Sequence, residues 1–300
     1  MLMLIKNGFT ISDSGKRGPV FVAPHASPAF HKPDYYQDQG THYIANMLAE
    51  MNGGKALIST ITREKDIGID FFRQAPTAST ALKYYKYFLK YHSSKKLWTK
   101  KTFHFRKKYA WVARDAIQHE EKKHIYNTFW NEIKESKAAV FFIHRQYLNP
   151  KNHPSIIDVI PFNHKRQTQI AIRKTNKKYE HIFTSLMPLY MDAFYFKTRC
   201  LHFKVALQKE TKMMFFDHLK PRLRDRIERF DNKVKKYPEL KITCMKNFRG
   251  DVVRPVINKI IKEMNSPVIH MEVSEFLCKW LPDLAVYIIS DLINKIMVNT

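Results

Sequence analysis

The order of short pieces between Pro19 and Ile61 constrains the fold more than any other feature. "PVFVAP" is an apolar run stopped by proline, as a short buried strand is. "THYIANMLAEM" places Ile44, Met47, Leu48 and Met51 at helical spacing, and "NGG", Asn52 to Gly54, stops it. "KALISTI" reads as the next strand, so the segment is a βαβ unit, which needs a parallel pair of strands.

The rest of the chain repeats the alternation. Residues 1–75 read as strand, loop, helix, strand. From Thr80 to about 136 the sequence is mainly helical, dense in Lys, Tyr, Phe and Trp, and "IYNTFWNEIKES" sets Ile125, Phe129 and Ile133 on one stripe. "KAAVFFIHRQ" is a strand ending in His144, followed by a loop with Pro150 and Pro154. Strand-like and helical pieces alternate from about 155 to 245, with a basic helix near "DHLKPRLRDRIERF". "FRGDVVRPVINKIIKEMN" leads into a further helix, and "SPVIHMEVSEFLCKWL" is a strand leading into another. The expected fold is one α/β domain over residues 1–300. Its central sheet is mixed and mainly parallel, flanked by helices, with a basic aromatic helical insertion at about 77–136.

Composition bounds the function classes. Of 300 residues, 44% are hydrophobic, which is ample for a core, so disorder is not the default reading. Lys and Arg number 52 against 27 Asp and Glu, a net charge of +25, which favours anionic partners or a solvated lysine-rich surface. Cys200, Cys244 and Cys278 are spaced for neither a disulfide framework nor a Cys-based zinc site, so a reducing cytoplasm is expected. "MLMLIKNGF" is too short an apolar run for a signal peptide. Asp283 and Asp291 interrupt "WLPDLAVYIISDLINKIMV", which reads as a core or interface helix, and no membrane role is expected.

Polar residues gather where strands end. "FVAPH" delivers His25 and "VFFIH" delivers His144, and groups beyond the carboxyl ends of strands collect in the crevice of an open α/β sheet. Asp38 stands at the expected start of the following helix. Two imidazoles, a carboxylate and an open position make a hydrolytic zinc site; a structural histidine and an ordinary N-cap explain the same residues. Glu272, late in "PVIHMEVSEF", is costly to bury without a partner. It suits a general base beside a metal, or a pair with one of the many cations. Arg63, Arg73 and Arg145 suit bidentate capture of a substrate carboxylate, or surface ion pairs. "HEEKKH" is rejected as a zincin helix, because its histidines are five apart and diverge by about 140° at 100° per residue; it reads as a solvated helix supported by i,i+4 Glu–Lys pairs.

"APHAS", "DQGTHYIANMLAE", "STITREKDIGIDFFR", "AVFFIH" and "VIHMEVSEFL", in that order over about residues 18–278, resemble the N-formylglutamate amidohydrolase family. The resemblance implies a zinc-carboxypeptidase/phosphorylase-hydrolase-like fold. It implies zinc held by His25, Asp38 and His144, with Asp34 or His42 as alternatives to Asp38. It also implies Glu272 as the catalytic carboxylate and Arg73 on the substrate carboxylate. The expected activity is hydrolysis of an amide bond in a small anionic amide or peptide. Phe72 departs from the pattern, standing where the family has Asn. The segment between Arg63 and Asp70 is longer, and Arg145 replaces a small polar residue. A second reading is a nucleic-acid-binding protein on the same scaffold, motivated by "KYYKYFLKYHSSKKLWTKKTFHFRKKYAWVAR", whose aromatics can instead form a local core.

Overall fold

A computed structural model describes residues 2–26, 38–61, 68–93, 108–146, 155–210, 239–245 and 264–298, with a few positions between 225 and 258. The βαβ unit is at its centre. Strand β3 (Val20–Ala23) is buried along its whole length, because Phe21 and Ala23 face one core and Val20 and Val22 the other. A strand covered on both faces reads as a continuous apolar run rather than an alternation. Helix α1 (Thr41–Met51) buries Ile44, Ala45, Leu48 and Ala49, and β4 (Lys55–Ser59) returns parallel to β3.

Two further strands precede this unit. β1 (Leu2–Lys6) and β2 (Phe9–Asp13) form an antiparallel hairpin that adds to β4. The hairpin adds two strands ahead of the strand–loop–helix–strand expected over residues 1–75. Asn-Gly is its turn signal: Gly8 takes φ +90°, a conformation that a side chain disfavours. All five residues of β1 are exposed, so no buried face gives it a legible pattern.

Helices α2 (Ala78–Ser93) and α3 (Ala116–Ser136) follow, as expected of the basic aromatic region. Phe129, Trp130 and Ile133 of α3 join Phe9, Phe71, Phe72 and Trp111 against one face of the sheet. Strand β5 (Val140–Gln146) pairs parallel to β3, and β6 (Ser155–Pro161) follows it in sequence. The expected alternation after β6 is replaced by one 46-residue helix, α4 (Lys165–Glu210). Thr168, Ala171, Thr175, Phe183, Leu186, Tyr190 and Phe194 are buried at helical spacing, and tertiary packing along that stripe sustains its first thirty residues. The basic stretch "DHLKPRLRDRIERF" lies largely, and the Pro150–Pro154 loop almost wholly, outside the described residues.

Strands β7 (Lys241–Cys244) and β8 (Val268–Ser274), helix α5 (Glu275–Trp280) and helix α6 (Pro282–Val298) complete the chain. The eight strands run in the order β1-β2-β4-β3-β5-β8-β6-β7. This is a single α/β domain with a mixed, mostly parallel sheet flanked by helices. Helices α1, α4 and α6 cover one face and α3 the other. Among the described residues no helix is long and apolar enough to cross a membrane. The C-terminal apolar run is instead the core helix α6, burying Ile288, Ile289, Leu292, Ile293 and Ile296.

Candidate metal centre

Three adjacent parallel strands, β3, β5 and β8, bring their carboxyl ends together. His25 lies two residues beyond β3. His144 is the fifth of seven residues of β5, not its last, so the ladder itself fixes its direction. It shares a face with Val140 and Phe142, which pack toward α3. Glu272 is the register partner of His144 on β8, and His270, two residues earlier, points the same way.

Asp38 completes the group. Its backbone N–H donates to the His25 carbonyl at 3.0 Å, and its own carbonyl accepts from the Thr41 hydroxyl at 2.6 Å. The N-cap of α1 is Gly40, not Asp38, and no side chain caps that end. The Asp38 carboxylate is therefore available to the histidines: Oδ2 lies 3.1 Å from His144 Nδ1 and 3.5 Å from His25 Nδ1. At metal–ligand distances of 2.0–2.1 Å, ligand atoms of a tetrahedral zinc sit about 3.3 Å apart. His25, Asp38 and His144 are each 5% exposed or less, and the three form a group that could hold a metal ion. His144 Nε2 is buried and has no hydrogen-bond partner among the described residues.

A second layer of contacts orients the first. His25 Nε2 meets Asp70 Oδ1 at 2.9 Å, the carboxylate–histidine arrangement that fixes a ligand's tautomer and ring plane. Asp70 also accepts from the Phe72 N–H at 3.1 Å and lies 3.6 Å from Arg73 Nε. His270 Nε2 contacts Glu272 Oε1 at 2.8 Å, and its ring stacks on His144 with centroids 4.4 Å apart. Phe72 roofs the group, 4.7 Å from the His144 ring and 5.3 Å from His270, and is itself 2% exposed.

The electrostatics favour ligand-ready protonation states. Burial works to raise the Asp38 carboxyl, but the hydrogen bonds and charges of His144 and His25 outweigh it and hold Asp38 far below the carboxylate range. Burial, then the charge of His270, push His144 down to about 4 against the opposing pull of Asp38. For Glu272, too, burial acts upward, and the hydrogen bond and charge of His270 carry it below its ordinary value. At neutral pH the cluster presents a carboxylate and a neutral His144 imidazole, the forms that bind a divalent cation.

The remaining candidates separate. Arg73, its side chain 22% exposed, stands one carboxylate away from His25. Arg145 occupies the next position on β5 after His144, so its side chain leaves the other face of the sheet; it is buried near the Cys278 thiol. His42 is exposed on α1 and takes no part in the group. Arg63 and Asp34 lie outside the described residues. In "HEEKKH" the two histidines diverge as the spacing requires. His119 is buried and accepts from Trp111 Nε1 at 3.2 Å, whereas His124 is exposed. The supporting pair there is Glu120–Lys123, at i,i+3 rather than i,i+4.

His270 was not among the expected site residues, yet its signal is present. It sits two positions before Glu272 on a strand, where the pleat puts both on one face. Asp70 was visible only as part of "DFFR"; its bond to His25 joins residues 45 apart, which no local pattern encodes.

No protein family matches the sequence, and no curated protein does. Among solved structures, the chain is similar to the crystal structure of gene product Atu2144 from Agrobacterium tumefaciens. The TM-score is 0.50 at 10% identity, over 97% of this chain and 95% of that one. At that identity the likeness defines the fold across nearly the whole chain and nothing finer.

Proposed function

We propose that the chain is a zinc-dependent hydrolase of an amide bond in a carboxylate-bearing substrate, similar to the N-formylglutamate amidohydrolases. The buried His25–Asp38–His144 group carries this reading. Two imidazoles and one carboxylate at tetrahedral spacing suit zinc, and three protein ligands leave a position open for chemistry. Zinc held there supplies Lewis acidity to a substrate carbonyl and lowers the pKa of a bound water.

The chain's own residues do the rest. Glu272, ionised at neutral pH, accepts the proton from the attacking water as its oxygen joins the carbonyl carbon. The C–N bond then breaks, and Glu272 returns the proton to the departing nitrogen, giving a carboxylate and an amine. His270 holds one Glu272 oxygen and so aims the other. Arg73 faces the substrate carboxylate, its guanidinium steadied by Asp70. Phe72 excludes water from the imidazoles, which strengthens every charge interaction inside. Cysteines spaced for no disulfide framework suit a cytoplasmic enzyme.

The test is amine release from a panel of N-formyl- and N-acetyl-amino acids, with and without added zinc. Zinc-dependent turnover, strongest on acidic amino acids and abolished by Glu272→Gln, is expected. Absence of turnover on every member by zinc-loaded protein contradicts the proposal.

A further inference from the structure

Helix α4 carries charge that the rest of the fold does not neutralise. Between Lys165 and His181 it exposes six cations, Lys165, Arg166, Arg173, Lys174, Lys177 and Lys178, against a single acid, Glu180. Lys178 pairs with Asp291 at 2.8 Å, whereas the other five form no ion pair among the described residues. Two of them occupy the first helical turn, where the helix dipole is already positive and acidic residues are the stabilising choice. Arg173 with Lys177, and Lys174 with Lys178, set like charges at i,i+4, a further unfavourable spacing.

The cations are also aligned. At about 100° per residue, Arg166, Arg173 and Lys177 fall within roughly 40° of one line along the helix. That line lies opposite the buried Thr168, Ala171, Thr175 and Leu186. At 1.5 Å per residue it runs about 16 Å. Duplex DNA carries a phosphate every 3.4 Å of each strand, so the line spans about five phosphates. Besides the six cations, the exposed residues between 165 and 181 are Glu180 and His181. The face is therefore dominated by phosphate-pairing cations, with no exposed Phe, Tyr or Trp to stack on an unpaired base and no exposed aliphatic side chain to insert into a lipid surface.

We propose that this face of α4 binds the phosphate backbone of duplex nucleic acid without reading its sequence. The inference uses none of the metal-centre residues and stands independently of the hydrolase reading.

Fluorescence anisotropy of a labelled 20-base-pair duplex, titrated with the full chain between 50 and 300 mM salt, tests it. Each phosphate contact contributes about −0.9 to the slope of log affinity against log salt. The variant Arg166→Gln/Arg173→Gln/Lys177→Gln should retain the wild-type circular dichroism, bind at least tenfold more weakly at 100 mM salt, and lose about 2.7 from the slope. A control, Lys16→Gln/Arg17→Gln/Lys123→Gln, removes the same charge from exposed positions elsewhere and should keep most of the affinity. Equal losses in the two variants would mean diffuse charge and overturn the proposal. Tighter binding to a single strand than to the duplex, or binding only to vesicles containing anionic phospholipid, also overturns it.

Discussion

Replacing Gly40 with alanine probes the link between backbone geometry and the candidate metal centre. Gly40 has φ +87°, and a Cβ added there would stand 2.2 Å from the Cys278 carbonyl oxygen. Real Cβ atoms do not approach closer than 3.0 Å, so backbone must separate by about 0.8 Å. The clash is with backbone and not with the end of a flexible side chain. The left-handed conformation alone costs an alanine roughly 1–2 kcal/mol. With the displaced contact, a loss of about 2–4 kcal/mol is expected, within the range for strained special positions. For a domain of this size that lowers Tm by about 3–6 °C. The consequence also reaches the candidate metal centre. Asp38 is two residues away, and Thr41 anchors its carbonyl. Ligand distances must hold within about 0.2 Å, so a 0.8 Å shift of this turn disrupts the site. Competition against a chromophoric chelator should show zinc affinity reduced by at least tenfold, in protein that still unfolds cooperatively on heating. Wild-type zinc affinity in Gly40→Ala would refute the claim that this turn positions Asp38.

Further outcomes follow from the same geometry. Asp70→Asn removes the carboxylate behind His25 and should weaken zinc binding about 10–100-fold by chelator competition while leaving the fold intact; unchanged affinity would leave Asp70 without an orienting role. His270→Gln keeps a donor toward Glu272 and should preserve most activity, whereas His270→Leu should lose at least tenfold in kcat with zinc content unchanged. Equal activity in the two variants would remove the positioning role. Acid should destabilise the metal-free protein. His144 is lowered from 6.5 to about 4, so between those values the unfolded chain takes up a proton that the folded chain refuses. At about 1.4 kcal/mol per pH unit this removes roughly 3 kcal/mol from pH 6.5 to pH 4. The lowered Asp38 and Glu272 extend the loss to still lower pH, because a depressed carboxyl contributes stability only while ionised. Urea unfolding at pH 7, 5.5 and 4 measures the trend; stability flat over that range would contradict it.

The central βαβ unit was legible because Val20–Ala23, Ile44, Leu48 and the Asn52–Gly54 stop obey local rules of period and punctuation. The strand-end logic located His25 and His144, although only the structure sets His144 inside β5 rather than at its end. Asp38 was ambiguous because an N-cap and a ligand look alike in sequence; a left-handed Gly40 takes the cap position and frees the carboxylate. The N-terminal hairpin was hidden by a strand with no buried face, despite its Asn-Gly turn. Helix α4 is not legible as one helix in the sequence because its polar face is long and charged. Its continuity rests on packing against the sheet and α6, contacts far apart in sequence. The contacts of Asp70 with His25 and of His270 with Glu272 are fixed by tertiary structure, so they emerge only once the strands are aligned.

Metal content tests the account most directly. The full chain, dialysed against zinc-containing buffer and then freed of loose metal by gel filtration, should carry about one zinc per chain by mass spectrometry. His25→Ala and His144→Ala, folded by circular dichroism, should carry almost none. Wild-type protein that emerges without metal, or variants that retain as much as wild type, would show that His25, Asp38 and His144 are a hydrogen-bonded network and not a metal centre.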